Sequence, residues 1–128
     1  MKSEPLIRIG TLFAVKASLH GKGGTKVLTL LVDTGSTYTI IPVEILEAVG
    51  CSPVASHDHV RIVTANGVLM VPRIAVDTFF CLGREMEGFR VVGHTLPPAG
   101  PIDGLLGMDF LYVIKAKIDL SRGIIEMP

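Results

Sequence analysis

The run Leu30-Leu31-Val32-Asp33-Thr34-Gly35-Ser36 places one carboxylate, Asp33, at the end of an apolar, β-prone stretch. An ionised carboxylate held among apolar groups without partners is costly, or it shifts its pKa until it is neutral. A carboxyl group kept there has a chemical use: it can take a proton from a water or give one to a substrate oxygen. Thr34 and Gly35 permit a tight turn that lets another backbone come close. The plain alternative is an ordinary turn, with the Asp side chain accepting from the N–H groups that follow it.

Other chemistry-bearing residues are sparse. His57-Asp58-His59 could bring two imidazoles to one face of a strand, but no Cys or further carboxylate stands nearby to complete a ligand set. An exposed polar loop is expected there, with no metal and no other cofactor. Cys51 and Cys81 form no C-x-x-C pair and are too few for a disulfide framework, so they read as buried thiols in a reducing compartment.

A length of 128 residues suits one domain over residues 1–128, and 48% hydrophobic content supplies its core. Twelve basic and twelve acidic residues cancel, so neither nucleic acid nor an anionic membrane is an expected partner. No apolar run is long enough to span a bilayer, and Met1-Lys2-Ser3-Glu4-Pro5 carries no signal-peptide core. A cytoplasmic location is expected.

The elements that must position Asp33 are mostly β. Residues 6–19 alternate in part, with Phe13, Val15, Ala17 and Leu19 on one face. Gly21-Lys22-Gly23-Gly24 then turns the chain into the apolar run that ends at Asp33. Residues 43–49, between Pro42 and Gly50, form the one helix expected. Residues 60–71 predict a long hairpin with its tip at Asn66-Gly67. Further strands are expected over residues 74–80 and 88–92, with a polar turn at Gly83-Arg84-Glu85. The proline-rich segment 96–101 reads as a loop, and a final hairpin turns at Ser121-Arg122-Gly123.

Two motifs read together carry a resemblance. Asp33-Thr34-Gly35-Ser36 behind an apolar strand, a hairpin tip about thirty residues on, Gly104-Leu105-Leu106-Gly107 and a closing hairpin resemble the retropepsin-like aspartic proteases, over residues 7–125. The run at 105–111, Leu-Leu-Gly-Met-Asp-Phe-Leu, is similar to the second motif of small cellular and bacterial single-domain members. The resemblance implies an all-β fold: a closed acid-protease barrel with one short helix and a flap hairpin, paired as a C2 homodimer. In it, the strand bearing Leu105, Leu106 and Gly107 crosses beside the Asp33 loop in a ψ-shaped arrangement, supporting it from behind.

The implied activity is aspartic endopeptidase action on an extended protein or peptide substrate. Asp103, Asp109 and Asp119 lack the following Thr-Gly turn, so a second Asp33 must come from a symmetric partner. The resemblance makes Asp33, Thr34 and Gly35 catalytic, with Thr34 bonding across the axis and Gly35 admitting substrate backbone. Ser36 is expected to donate its hydroxyl to the Asp33 carboxylate and shift the pH optimum toward acid. Thr64, Ala65, Asn66, Gly67 and Val68 would form the flap, and Ile40, Ile62, Val68 and Leu105 the apolar subsite walls. The flap tip has neither the glycine-rich run of retroviral members nor the Tyr of pepsin-like ones. A different class of reading is a non-catalytic dimerisation or peptide-binding module retaining the fold, against which the intact Asp33-Thr34-Gly35-Ser36 argues.

Overall fold

The computed structural model describes residues 2–97 and 100–128. From the N-terminus, β1 (Lys2–Pro5) and β2 (Ile7–Ile9) precede the long hairpin of β3 (Leu12–Gly21) and β4 (Gly24–Val32). The segment expected as one strand over residues 6–19 instead folds back at Gly10-Thr11, pairing Ile9 with Leu12. Along β3 the alternation is as expected: Val15, Ala17 and Leu19 are buried while Lys16 and His20 face out. After Asp33 the chain runs through a loop to β5 (Ile40–Ile41) and α1 (Val43–Ala48). Pro42 pre-sets the start of that helix, and a 3-10 turn at Pro53–Ala55 follows it.

Next come the hairpin of β6 (Asp58–Thr64) and β7 (Gly67–Ala75), then β8 (Thr78–Cys81), β9 (Arg84–Glu87) and β10 (Arg90–Gly93). Arg84 and Glu85, expected in a turn, open β9, because Cys81 pairs with Arg84 and the turn itself is Leu82-Gly83. The proline-rich loop keeps Leu96 and Pro97 outside regular structure, while Pro98 and Ala99 lie outside the described residues. The chain closes with β11 (Gly104–Leu106), α2 (Met108–Leu111), β12 (Lys117–Asp119) and β13 (Ile124–Met127).

One short helix was expected, and α2 is a second. At four residues it is too short to show a helical period in sequence. The last hairpin turns as expected, with Asp119 accepting from the Ser121 hydroxyl and from the Arg122 backbone and guanidinium.

Ten strands form one curled sheet, in the order β6-β7-β10-β5-β11-β4-β3-β8-β9, with β2 on β3. Among the described residues this path does not return on itself, so the sheet is an open half-barrel where the sequence led to a closed one. A separate three-stranded sheet, β1-β13-β12, ties the two termini of the same chain together. The junction that matters is β4-β11-β5: β11 runs parallel to β4 and antiparallel to β5 and so lies between them. The loop that leaves β4 at Asp33 must therefore pass around the end of β11 to reach β5. This is the ψ-shaped crossing implied by the two motifs.

The core sits between the curled sheet and the helices. Leu19, Leu28, Leu30, Ile41, Leu46, Phe79, Leu106 and Phe110 are all fully buried within it. Phe79 stacks on Phe89 at 5.0 Å between centroids and meets Phe110 edge-on at 5.3 Å, which anchors α2 in the core. Cys51 and Cys81 are buried thiols, and burial pushes the Cys81 thiol up to about 12. Among the described residues no helix is long and apolar enough to cross a membrane.

Truncating the centre of the aromatic trio should be among the costliest single changes. Phe79→Ala is expected to lose about 3–5 kcal/mol, read as a lowered urea midpoint at unchanged slope.

Candidate active site

The loop after β4 is pinned from behind at Asp33, Ser36, Thr37 and Thr39. Asp33 N–H donates to the Leu106 carbonyl at 3.0 Å, holding the end of β4 to the end of β11. Met108 N–H donates to the Ser36 carbonyl at 2.8 Å, and Asp109 N–H to the Thr37 carbonyl at 3.1 Å. The Asp109 carboxylate accepts from Thr39 twice, from the backbone at 2.9 Å and from the hydroxyl at 2.7 Å. Thr39 Oγ1 in turn accepts from Gly107 N–H at 3.1 Å, so one buried threonine is gripped from two directions.

Gly107 is required by close approach. A Cβ there would strike the Tyr38 carbonyl, so any larger residue would push the loop off its support. Leu106, behind the loop, belongs to the main core, whereas Leu105 faces forward into the cleft.

Within the loop both readings of Asp33-Thr34-Gly35 hold together. Gly35 N–H donates to Asp33 Oδ1 at 3.0 Å, which is the ordinary turn bond and also fixes the carboxylate's orientation. Its other oxygen has no hydrogen-bond partner among the described residues. The Ser36 hydroxyl donates to the Tyr38 carbonyl at 2.7 Å and not to Asp33. A short polar side chain finds its own backbone two residues on, so the expected acid shift through a Ser36–Asp33 bond has no donor behind it.

Asp33 is half-buried in a cleft of about 330 Å³. Gly35, Ser36, Ile40 and Leu105 line it from the loop side, and Ile62 and Thr64 from β6. Thr37, Tyr38, Arg61, Val63, His94 and Leu96 line it as well, and sequence reasoning assigned none of these to the site. Tyr38 could have been read from its place two residues before Ile40; His94 and Leu96 carry no local signal and arrive by topology. Among the described lining residues Asp33 is the only carboxylate.

Several expected site residues lie elsewhere. Thr34 is exposed on the far side of the loop, beside Leu12, Ile118 and Leu120 on one flank and Met108 and Tyr112 on the other. The hairpin turns one residue earlier than expected: Thr64 pairs with Gly67, so Ala65-Asn66 is the turn and Gly67 opens β7. Gly67 takes φ +113°, which lets Ala65 and Asn66 avoid left-handed backbone. Thr64 Oγ1 accepts from Asn66 N–H and donates to the Gly67 carbonyl, tightening the turn. Ala65, Asn66, Gly67 and Val68 project beyond the cleft and do not line it, and Val68 is 52% exposed.

His57 and His59 are exposed, and Asp58 between them is paired with Arg90. Among the described residues no group of three or more His, Cys, Asp or Glu is placed to hold a metal ion.

Burial pushes the Asp109 carboxyl above its ordinary value, opposed by the bonds from Thr39 and Phe110 and by the charge of Arg73. The folded chain therefore holds that proton more tightly than the unfolded chain does. Stability is greatest with the carboxyl protonated and falls as pH climbs from the ordinary value of 3.8 through the raised one. Asp109→Asn should flatten this slope in urea titrations run from about pH 4 to 7.

Comparison with known proteins bears on the family and the fold. No curated protein matches the chain. A retropepsin-like aspartic protease from Rickettsia conorii, known from its crystal structure, is similar over 97% of this chain and 88% of that one, with a TM-score of 0.70 at 20% identity, a likeness of fold. Residues 15–110, which run from β3 through the Asp33 loop to α2, match the family model for aspartyl proteases. The chain belongs to the aspartyl protease family and has a retropepsin-like fold.

Proposed function

We propose that this chain, one domain over its 128 residues, is an aspartic endopeptidase that works as a C2 homodimer on extended protein or peptide segments. The observation that carries the reading is the solitary Asp33 carboxylate. It is held by its turn and by β11, lines the cleft with one oxygen free of hydrogen-bond partners among the described residues, and has no second acid beside it among the described lining residues. Acid–base hydrolysis of an amide needs two carboxyl groups around one water, and a two-fold axis at the Asp33 loop supplies the second.

In the dimer, two carboxyl groups about 3 Å apart repel as anions, so the proposed chemistry has the pair share one proton. The ionised Asp33 takes a proton from the water as its oxygen adds to the scissile carbonyl carbon. The partner's Asp33 gives its proton to the carbonyl oxygen. A proton then passes to the amide nitrogen, the C–N bond breaks, and the pair is restored. The β6–β7 hairpin acts as the flap, with Ile62 and Thr64 facing the substrate, while Ile40 and Leu105 form an apolar wall on the opposite side.

The surface around Thr34 supports a partner there. Leu12 is 47% exposed, Tyr112 68% and Leu120 69%, and all three flank the loop on the side away from the cleft. Such an apolar rim beside an incomplete site fits a second copy of the chain. The pairing of β1 with β13 of its own chain supports a dimer without exchanged terminal strands, weaker than one built on a shared terminal sheet.

Two experiments test the reading. The purified chain should cleave an unfolded protein between acid and neutral pH, be blocked by a statine-type inhibitor, and lose at least about 1,000-fold activity in Asp33→Asn. Activity surviving that substitution would falsify the mechanism. Leu120→Glu should shift sedimentation toward monomer across a dilution series and lower specific activity, with the thermal midpoint of the dilute chain unchanged. A variant that dimerises as tightly as the parent removes Leu120 from the interface.

A further inference from the structure

Arg73 takes no part in the chemistry described above, yet it is placed against it. It lies on β7, across from Val92 of β10 and Asp58 of β6. Its guanidinium carbon stands 5.6 Å from the centre of the Tyr38 ring, within cation–π range. Its Nε is buried with no hydrogen-bond partner among the described residues. Asp58, its cross-strand neighbour, is paired with Arg90 instead. What holds the guanidinium is therefore the face of Tyr38, together with the charge of Asp109, which it favours through space.

Tyr38 is the residue on which these contacts act. It lines the Asp33 cleft and packs with Ile40, Ile62 and Leu105. Its carbonyl accepts from Ser36, and the next residue, Thr39, is held by Asp109. The backbone at Tyr38 is thus fixed by α2 and the loop, while its ring is backed by a cation from the β6–β7 hairpin.

We propose that Arg73 is a positioning residue that holds the Tyr38 ring as a wall of the substrate cleft. The hairpin then shapes the cleft through its base as well as through Ile62 and Thr64. The kinetic consequence of this assignment rests on the proteolytic reading above; its structural consequence does not.

The chain has two tyrosines and no tryptophan, so in a Tyr112→Phe background Tyr38 is the sole tyrosine contributing to near-ultraviolet circular dichroism. In that background Arg73→Met, which keeps length and removes charge, should abolish most of the tyrosine band while far-ultraviolet dichroism is unchanged. KM should rise about five-fold, the worth of one cation–π contact, with kcat within about two-fold. Arg73→Lys should recover part of both. Combined with Tyr38→Leu, which itself raises KM, Arg73→Met should add nothing.

An unchanged tyrosine band, or an equal rise in KM in the Tyr38→Leu background, overturns the proposal. Should Arg73→Met not fold, Arg73→Gln carries the same test. If the parent chain cleaves nothing, the proteolytic reading fails by itself, and the tyrosine band still decides what Arg73 does.

Discussion

The geometry of the cleft depends on one constraint: the loop from Asp33 to Thr39 must satisfy its backbone polar groups while passing around the end of another strand. Buried N–H and C=O groups tolerate no loss of partners, so a loop in that position needs a dedicated counterpart. The chain provides one in residues 106–109, whose carbonyl, N–H groups and one carboxylate meet Asp33, Ser36, Thr37 and Thr39 in turn. The site is therefore built from two segments about seventy residues apart, and neither has a fixed shape without the other.

This division of labour accounts for the otherwise costly acid at Asp109. Buried carboxylates are kept where they are hydrogen-bonded, and the two bonds from Thr39 are charge-assisted and short. An apolar residue would pack well enough there but would leave the Thr39 N–H and hydroxyl without acceptors. Rigidity of the loop is obtained at some expense in stability above the carboxyl's titration, and the orientation of Asp33 benefits from it.

Much of this was legible in the sequence, and the rest was not for identifiable reasons. Asp33-Thr34-Gly35-Ser36 behind an apolar strand is a local pattern, so its turn, its strand and its place at a strand tip could all be read. The Lys22-Gly23 and Ser121-Arg122-Gly123 turns were readable in the same way. Strand β1 was not, because Lys2-Ser3-Glu4-Pro5 is polar and becomes a strand only by pairing with β13. The hairpin turns one residue before the tip that Asn66-Gly67 predicts, because Asn-Gly signals a turn with both residues left-handed and only Gly67 is so here. Asp109 lacks the Thr-Gly turn that follows Asp33, and its use as a clamp is visible only once Thr39 stands beside it. Ser36 illustrates the limit of transferring a role by residue type, since its hydroxyl had a nearer acceptor.

The aromatic contact made by α2 ties the cleft to the deepest part of the molecule. Phe110 packs edge-on against both Phe79 and Phe89, at 5.3 and 5.9 Å, so residues 106–109 cannot withdraw from the loop without opening the centre of the core. Amide protons at Asp33 and Thr39 are therefore expected among the slowest to exchange, and those at Ala65 and Asn66, in the hairpin turn, among the faster ones. The acid is thus carried by the wall anchored in the core, and the hairpin turn lies beyond the opposite wall.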